Sequence, residues 1–270
     1  MKFEEEIKTR RSVRNYTGKS LNKDDKAKLL KYINSEQNLI GRFGNRIQIL
    51  YKETDTAKSE KIGTYGFIKN APGFLICICK NNKENLLDVG YVFENLVLYL
   101  HKSGIGTCWI GGTFNRKKLQ IKETIKENNF IPIISPVGYP ADNNHMVEKL
   151  IRKVAKSNKR KDFDRLFFSN NFDKSISDAT TREVLEYVRL APSASNKQPW
   201  RIVVNNDKST HFFIERAPNY EKSLGYDIQM VDMGIALSHY MLLSNKKHVF
   251  IEAPNIALLN ENYEYVFSVR

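Results

Sequence analysis

The sequence predicts an α+β protein in which a mixed, mostly antiparallel sheet packs with helices, and in which the chain is internally duplicated as a single-chain pseudo-dimer. Helix-like and strand-like segments intermix without strict alternation. The continuous apolar run from Phe74 to Cys79 is typical of a central strand covered on both faces. A helix, a strand and a helix carrying Asp-x-Gly recur in the same order in both parts of the chain.

The predicted duplication depends on three matched segments. Written as first copy with second copy, they are 27–33 with 182–188, 46–50 with 201–205, and 88–93 with 232–237. The first two share one ungapped register, and the third requires a shorter loop in the later copy. Chance similarity between amphipathic helices is the alternative, but the shared order and spacing favour duplication.

Hydrophobic periodicity and turn signals predict the elements of a first half that spans residues 1–140. In chain order they are helix 2–9, a helix from Asn22 to about Ser35, strand 46–52, a helix to about Ile68, strand 74–79, helix 87–102, strand 107–110, a helix near 116–128 and strand 131–137. Asn22 is a favourable N-cap, and Gly104 and Gly106 end the long helix.

Residues 141–178 are predicted to form a charged, mostly helical connector, followed by a second, shorter half at 179–270. The predicted elements of this half are helix 180–190, strands 200–204 and 211–215, helix 226–244, and closing strands near 249–252 and 264–269.

Composition bounds the class of protein. The chain has 270 residues, enough to bury a substantial core, and no run of about 18 apolar residues that would indicate a membrane span. Its first residues are acidic and polar, unlike a secretory leader. The three cysteines lie in apolar surroundings and are too few for a disulfide framework, so we expect a cytoplasmic protein.

A net charge of +13 raises the question of nucleic-acid binding. The lysines are spread along the whole chain, as on solvated helix faces. The densest run, residues 149–161, has no interleaved aromatic residues that would stack on bases, so it suits a phosphate better than a duplex. We therefore expect no nucleic-acid partner.

Two polar motifs lie almost a full chain length apart. Residues 10–14 place three arginines and a serine within five positions, and residues 191–200 combine prolines with small polar residues before a strand. In the ungapped register of the repeat, the first motif pairs with 165–169 and the second with 36–45, and neither counterpart keeps the motif. Each half therefore retains one motif, which predicts one site where a symmetric pair would have two.

These segments resemble those of nitroreductase-family FMN flavoproteins. Residues 10–14 resemble the family's phosphate motif, and residues 88–96 with 104–112 resemble its long central helix and flavin-facing strand. Residues 137–140 and 191–200 are similar to two further family segments. In the usual family one short chain carries every motif and a homodimer forms two sites. Here the motifs are divided between halves, as in a subgroup of longer proteins whose chain imitates the dimer.

The resemblance and the chemistry of the residue types together imply a set of FMN-binding residues. Arginine offers permanently charged, bidentate donors to a phosphate, and glycine lets the backbone approach the flavin ring, where an N–H directed at flavin N5 would tune that atom. The implied residues are Arg10, Arg11, Ser12, Arg14, Thr64, Tyr65, Trp109, Ile110, Gly111, Gly112, Arg160, Pro192, Ser193, Ala194, Ser195, Asn196 and Gln198. Solvated arginines, a Gly-Gly turn and a capped helix end are the alternatives.

No motif for a catalytic acid, a nucleophile, a metal or a dinucleotide is present in the sequence, which suits an enzyme whose cofactor performs the redox step. The leading hypothesis is an FMN-dependent NAD(P)H oxidoreductase that binds about one FMN per chain. It would reduce small electron-poor acceptors, such as nitroaromatics or quinones, in a ping-pong cycle, and its self-completed pair of halves would permit a monomer. An FMN-binding sensor or scavenging module without nicotinamide turnover is the second hypothesis, and a basic protein that binds acidic partners is the third.

Overall fold

The computed structural model describes residues 3–55, 68–112, 114–115, 119, 127–141, 159–217, 224–258 and 261–270. In these residues the strands form two five-stranded sheets, one in each half of the chain. The α+β class and the mostly antiparallel pairing are confirmed, and the pairing is divided between two sheets, one in each half.

The helices and strands have the following bounds. The helices are α1 Glu4–Thr9, α2 Lys23–Ile33, α3 Glu36–Leu39, α4 Lys83–Lys102, α5 Ala179–Arg189 and α6 Ile228–Leu243. The strands are β1 Gln48–Glu53, β2 Gly73–Lys80, β3 Gly106–Thr107, β4 Asn129–Phe130, β5 Ile134–Gly138, β6 Phe167–Ser169, β7 Trp200–Val204, β8 Thr210–Glu215, β9 Val249–Phe250 and β10 Tyr263–Val269. Short 3-10 turns cover Phe163–Arg165 and Ala194–Asn196.

The two sheets follow the same path. The first has the order β1-β2-β5-β3, with β4 pairing with β2, and the second has the order β6-β7-β8-β10-β9. Without β6, the second order is β7-β8-β10-β9, which corresponds strand by strand to β1-β2-β5-β3 of the first sheet. In both halves the long helix, α4 or α6, follows the second of these strands along the chain. An internal duplication requires this correspondence, and the duplication itself stays a prediction.

Strand β2 forms the centre of the first sheet. It is antiparallel to β1 on one side and to β5 on the other. All of its residues except Lys80 are buried, which confirms the prediction of a central strand from the continuous apolar run.

The long helices α4 and α6 cross in close contact at two glycines. A Cβ added at Gly90 would lie 2.1 Å from the carbonyl oxygen of Val231, and one added at Gly234 would lie 2.0 Å from that of Leu87. Each helix therefore presents a glycine to a carbonyl of the other, which is the reciprocal contact of a two-fold pair. Because no side chain fits between the backbones, these glycines allow the two halves to share one hydrophobic core.

The connector departs most from the prediction. Its described part, residues 159–178, contains no α-helix, and its residues Phe167–Ser169 form β6. Strand β6 pairs in parallel with β7, so this part of the connector belongs to the second sheet. Phe167 and Phe168 are buried there, and this burial overrides the charged surroundings that suggested a solvated helix.

Smaller departures concern short elements. The predicted strand 107–110 is reduced to β3, and Ile110 forms only an isolated bridge with Ile134. The sequence did not predict α3 or β4, because elements of two to four residues are too short for a periodic pattern. The predicted helix after β1 and most of the predicted helix 116–128 lie outside the described residues. Among the residues that the structure describes, we find no helix with the length and apolar character that a membrane crossing requires.

Candidate functional site

The first motif lies along the edge of the first sheet. Ser12 forms a parallel bridge with Thr107 of β3, and the Val13 N–H donates to the Thr107 carbonyl at 2.8 Å. Farther along, the Lys69 N–H donates to the Arg14 carbonyl at 2.8 Å. The motif therefore runs beside the strand that leads to Trp109–Gly112, as the predicted site requires.

Arg10 directs its guanidinium inward from the C-terminal end of α1. Its side chain is only 8% exposed, and Nε lies 3.7 Å from Oε1 of Glu94, a carboxylate with no exposed surface. Within the described part of the chain, this Nε has no hydrogen-bond acceptor. Arg10 is therefore a buried cation whose Nε–H group donates to no described acceptor.

The second motif forms a tight loop between α5 and β7. Ser195, Asn196 and Gln198 have φ values of 48°, 53° and 49°, in the left-handed region that side chains disfavour. The Ser193 hydroxyl accepts from the Gln198 N–H at 2.9 Å. Strained backbone of this kind persists where surrounding contacts impose it, and it is common in ligand-binding loops.

The connector's described end is hydrogen-bonded to this loop. Gln198, which is buried, accepts from the Lys161 N–H at 2.8 Å through Oε1. The Asn196 amide donates to the Lys159 carbonyl at 2.9 Å and accepts from Arg160 Nη1 at 3.2 Å. Two predicted site residues, Asn196 and Gln198, thus hold Arg160 in place.

Arg160 joins the two motifs electrostatically. Burial, together with the positive charges of Arg10 and Arg189, lowers the pKa of Arg160 to about 10. Each of these two charges therefore lies close enough to Arg160 to act on it. Arg10 of the first motif, Asn196 of the second motif and Arg160 of the connector are therefore brought together, and Arg189 is an addition that the sequence did not predict.

Gly111 and Gly112 contact the second half of the chain. A Cβ at Gly111 would lie 2.4 Å from Ile228 Cδ1, and a Cβ at Gly112 would lie 2.4 Å from Leu224 Cδ2. The Tyr226 hydroxyl donates to the Gly111 carbonyl. The space that a side chain would take at either position is therefore occupied by apolar side chains of the second half.

The backbone N–H groups of the same two glycines have a different environment. In the described part of the chain, neither the Gly111 N–H nor the Gly112 N–H has a hydrogen-bond acceptor, and both residues are partly exposed. By contrast, the Ile110 N–H immediately before them donates to the Ile134 carbonyl at 3.0 Å. Two adjacent donors are thus available to a ligand at this point.

Trp109 connects the segment before the two glycines to helix α4. Its indole Nε1 donates to Oε2 of Glu94 at 2.9 Å, and its ring packs edge-on against Phe93 at a centroid distance of 4.8 Å. The Ile110 side chain is buried in the core. Only the backbone of Ile110 therefore remains for the ligand contact that the sequence predicted.

The remaining predicted residues lie in several places. Arg11 is exposed, and its charge, with that of Arg10, adds to the effect of burial in lowering the pKa of His101. Pro192, Ser193 and Ala194 are half-buried in the loop, and Ser195 is exposed. Thr64 and Tyr65 lie outside the described residues.

Sequence reasoning missed three further polar residues at the site, namely Glu94, Asp232 and His239. All three are buried on α4 or α6, within stretches whose apolar neighbours dominate the helical pattern. An ionisable residue within an apolar helical stretch was the signal that could have identified these three residues. No group of three or more His, Cys, Asp or Glu side chains in the described chain is arranged to hold a metal ion.

This chain is similar in structure and in sequence to proteins named as nitroreductases. A nitroreductase described as putative, from Thermotoga maritima, has a solved structure that covers 100% of this chain and 93% of its own, at 21% identity and a TM-score of 0.59, so this likeness shows the fold. A protein of Methanothermobacter thermautotrophicus named "Putative NADH dehydrogenase/NAD(P)H nitroreductase" is 25% identical over 148 residues, which are 52% of this chain and 78% of that protein.

A family model described as "Putative TM nitroreductase" matches residues 2–244, which is nearly the whole chain. The match includes both polar motifs, the connector, and the crossing helices α4 and α6. The resemblance that the sequence motifs suggested is confirmed, and the chain belongs to this nitroreductase family.

Proposed function

We propose that this chain is an FMN-dependent NAD(P)H oxidoreductase that reduces small electron-poor acceptors such as nitroaromatics or quinones. The observation that carries the proposal is that the two distant motifs meet at Arg160, which donates to Asn196 Oδ1 at 3.2 Å and whose pKa the charge of Arg10 lowers. Membership of a nitroreductase family and the NAD(P)H nitroreductase name of the Methanothermobacter relative support the same activity.

The arginine cluster fits the phosphate end of FMN. Burial and the positive charges of Arg10 and Arg189 both disfavour the charged form of Arg160, and so lower its pKa. A bound dianion would relieve both effects, since each arginine offers several donors in a planar array. Arg10 contributes a cation whose side chain is only 8% exposed, and a bound anion would stabilise such a buried charge.

The segment after Trp109 fits the ring end of FMN. The N–H groups of Gly111 and Gly112 have no protein acceptor in the described chain, so they can donate to polar atoms on the ring edge. When bound, FMN supplies the hydride chemistry, which needs no further catalytic acid from the protein. The protein's part is to hold the ring, exclude water and leave one ring face open to a nicotinamide and then to the acceptor.

The pseudo-dimer arrangement supports the expected stoichiometry. Each motif occurs in one half only, and the halves share a core through α4 and α6, so one chain provides one complete set of contacts. We therefore propose about one FMN per chain and a monomer that needs no partner subunit.

The test separates phosphate recognition from ring recognition. Arg160→Met is expected to raise the Kd for FMN about 10- to 100-fold, or about 1.4–2.7 kcal/mol, and to leave the Kd for riboflavin, which lacks the phosphate, nearly unchanged. Arg182→Met is the matched control, because Arg182 stacks on Phe163 and pairs with Asp164, and its charge is not among those that lower the pKa of Arg160.

The same protein gives the test of turnover. Purified chain that binds no FMN after reconstitution with excess cofactor would refute the proposal. Bound FMN without oxidation of NADH or NADPH in the presence of menadione or nitrofurazone would instead favour a binding module. A steeply salt-dependent affinity for DNA, with indifference to FMN, would favour the basic interaction protein.

A further inference from the structure

We propose that Glu94 is a positioning residue that fixes Arg10 and the segment Trp109–Gly112 of the candidate site relative to each other. His239 of the second half holds the Glu94 carboxylate in place. The inference rests on the proposed function, because it concerns how the FMN site is assembled.

Glu94 is the common partner of both ends of the site. Its carboxylate is fully buried in α4, accepts from Trp109 Nε1 at 2.9 Å, and lies 3.7 Å from Arg10 Nε. Trp109 precedes Gly111 and Gly112 by two and three positions, so the indole fixes the start of the segment whose N–H groups have no acceptor. The Glu94 carboxylate therefore constrains both the Arg10 guanidinium and the segment that begins at Trp109.

His239 reaches Glu94 from α6. Its Nε2 lies 3.1 Å from Glu94 Oε1, and its Nδ1 lies 2.9 Å from the Tyr187 carbonyl oxygen. Because a carbonyl only accepts, Nδ1 must carry a hydrogen, and the contact between Nε2 and Oε1 then holds one hydrogen between them. The pair has no net charge whichever atom carries that hydrogen, so it can be buried at this crossing.

The structure contains a neutral counterpart of this pair. In the register that matches Asp88 with Asp232, Glu94 matches Ser238 and Asn95 matches His239. The Ser238 hydroxyl donates to Asn95 Oδ1 at 3.1 Å, which is the same distance as between Glu94 and His239. The helices therefore cross with an uncharged pair at one of two matching places and an ionisable pair at the other.

This difference argues that the ionisable pair serves the site. Buried ionisable pairs contribute little net stability, and a Ser–Asn pair fills the matching place without one. The ionisable pair lies on the side where Arg10 and Trp109 are found. With Nε of Arg10 directed at Glu94, the two terminal nitrogens of the guanidinium are the donors left for a phosphate.

The test transfers the neutral pair to the site. The double variant Glu94→Ser, His239→Asn is compared with Ser238→Ala at the matching place and with Glu94→Gln, whose amide can still accept from Trp109 and donate to His239. Binding of FMN and of riboflavin by the full chain is measured by titration. Tryptophan emission of the cofactor-free chain is recorded with and without a Trp109→Phe background.

We expect the double variant to unfold cooperatively, to bind FMN at least tenfold more weakly, and to lose more affinity for FMN than for riboflavin. Its tryptophan emission should shift, and that shift should vanish in the Trp109→Phe background. Ser238→Ala should bind FMN within twofold of wild type, and Glu94→Gln within threefold.

Wild-type FMN binding and an unchanged Trp109 emission in the double variant would overturn the proposal. A loss in Glu94→Gln as large as that in the double variant would also overturn it, because hydrogen bonding would then not be what positions the site. If the wild-type chain binds no FMN, the proposed function fails, while the emission shift still decides whether Glu94 positions Trp109.

Discussion

Asp88 and Asp232 occupy matching places on α4 and α6, two residues before the crossing glycines, and each accepts from the loop that precedes the first main strand of its half. Asp88 accepts from the N–H groups of Phe43 and Asn45, each at 3.0 Å, and from the Asn45 side chain at 2.9 Å. Asp232 accepts from the Ala194 N–H at 2.8 Å through Oδ1, and its buried Oδ2 has no partner in the described chain.

The difference shows that the first half supplies all the hydrogen bonds between its own loop and Asp88. In the second half, the carboxylate of Asp232 keeps an oxygen without a partner among the described residues. The loop at 41–45 has its carboxylate saturated by backbone and side-chain donors, and it uses Gly44 where φ is +82°. The loop at 193–198 has a carboxylate with one donor, three non-glycine residues at positive φ, and hydrogen bonds to the connector. The loop at 193–198 is the one that carries the family's motif, as expected if a ligand supplies the missing contacts.

The largest expected effect is at Asp88. In Asp88→Asn, whichever way the amide is oriented, its NH2 group faces N–H donors that the carboxylate now accepts. We expect a loss of about 2–4 kcal/mol in the free energy of unfolding. Urea unfolding at pH 7 checks this, and a loss below about 1 kcal/mol would contradict the view that Asp88 closes its loop.

Asp232→Asn is expected to have the opposite sign. Burial raises the pKa of Asp232 well above its usual value of 3.8, against the lowering effect of the Ala194 N–H, and the charge of Asp227 adds to the rise. As pH rises from 3.8 towards the folded-state pKa, the unfolded chain releases this proton first, so the wild-type protein loses stability. Asparagine removes that loss and keeps an acceptor for Ala194.

Asp232→Asn should therefore be more stable than wild type at pH 7, by a margin that shrinks as pH falls to about 4. Thermal unfolding between these pH values measures the margin. An equal destabilisation at both pH values would show that Asp232 is saturated as Asp88 is, and would remove the contrast between the loops.

The smallest effects concern the backbone of the two loops. Gly44→Ala should cost about 1 kcal/mol, because φ is +82° and an added Cβ meets no atom within 4 Å, so the cost is conformational. Ser195→Gly should stay within about 0.5 kcal/mol of wild type, since relief of the positive φ offsets the entropy that glycine adds to the unfolded chain. Urea unfolding of both variants tests this, and a clear loss at Ser195→Gly would show that its side chain stabilises the loop.

Much of the fold follows from local pattern. The apolar run of β2, the Asn22 cap of α2 and the long α4 stripe are all short-range signals, and each appears as predicted. The order of elements also pointed to two similar halves. The chemistry of Arg10 and Asn196, with the family resemblance, predicts that both belong to one site, and this assignment stays a prediction.

The rest could not be predicted because it depends on contacts between distant parts of the chain. Glu94 and His239 are 145 positions apart, and nothing near either residue indicates the other. The glycines at 111 and 112 gave no sign that Ile228 and Leu224 fill the space beside them. Strand β6 is three residues long in charged surroundings, so only its partner β7 makes it a strand.

Strand β6 has a consequence for how the molecule is divided. It comes from the segment between the halves, and it covers the edge of β7 that would otherwise present unpaired N–H and C=O groups. A fragment that began at residue 179 would expose that edge to any other strand. The segment between the halves is thus joined to the second sheet by main-chain hydrogen bonds. This makes the chain a poor candidate for separation into two independent modules.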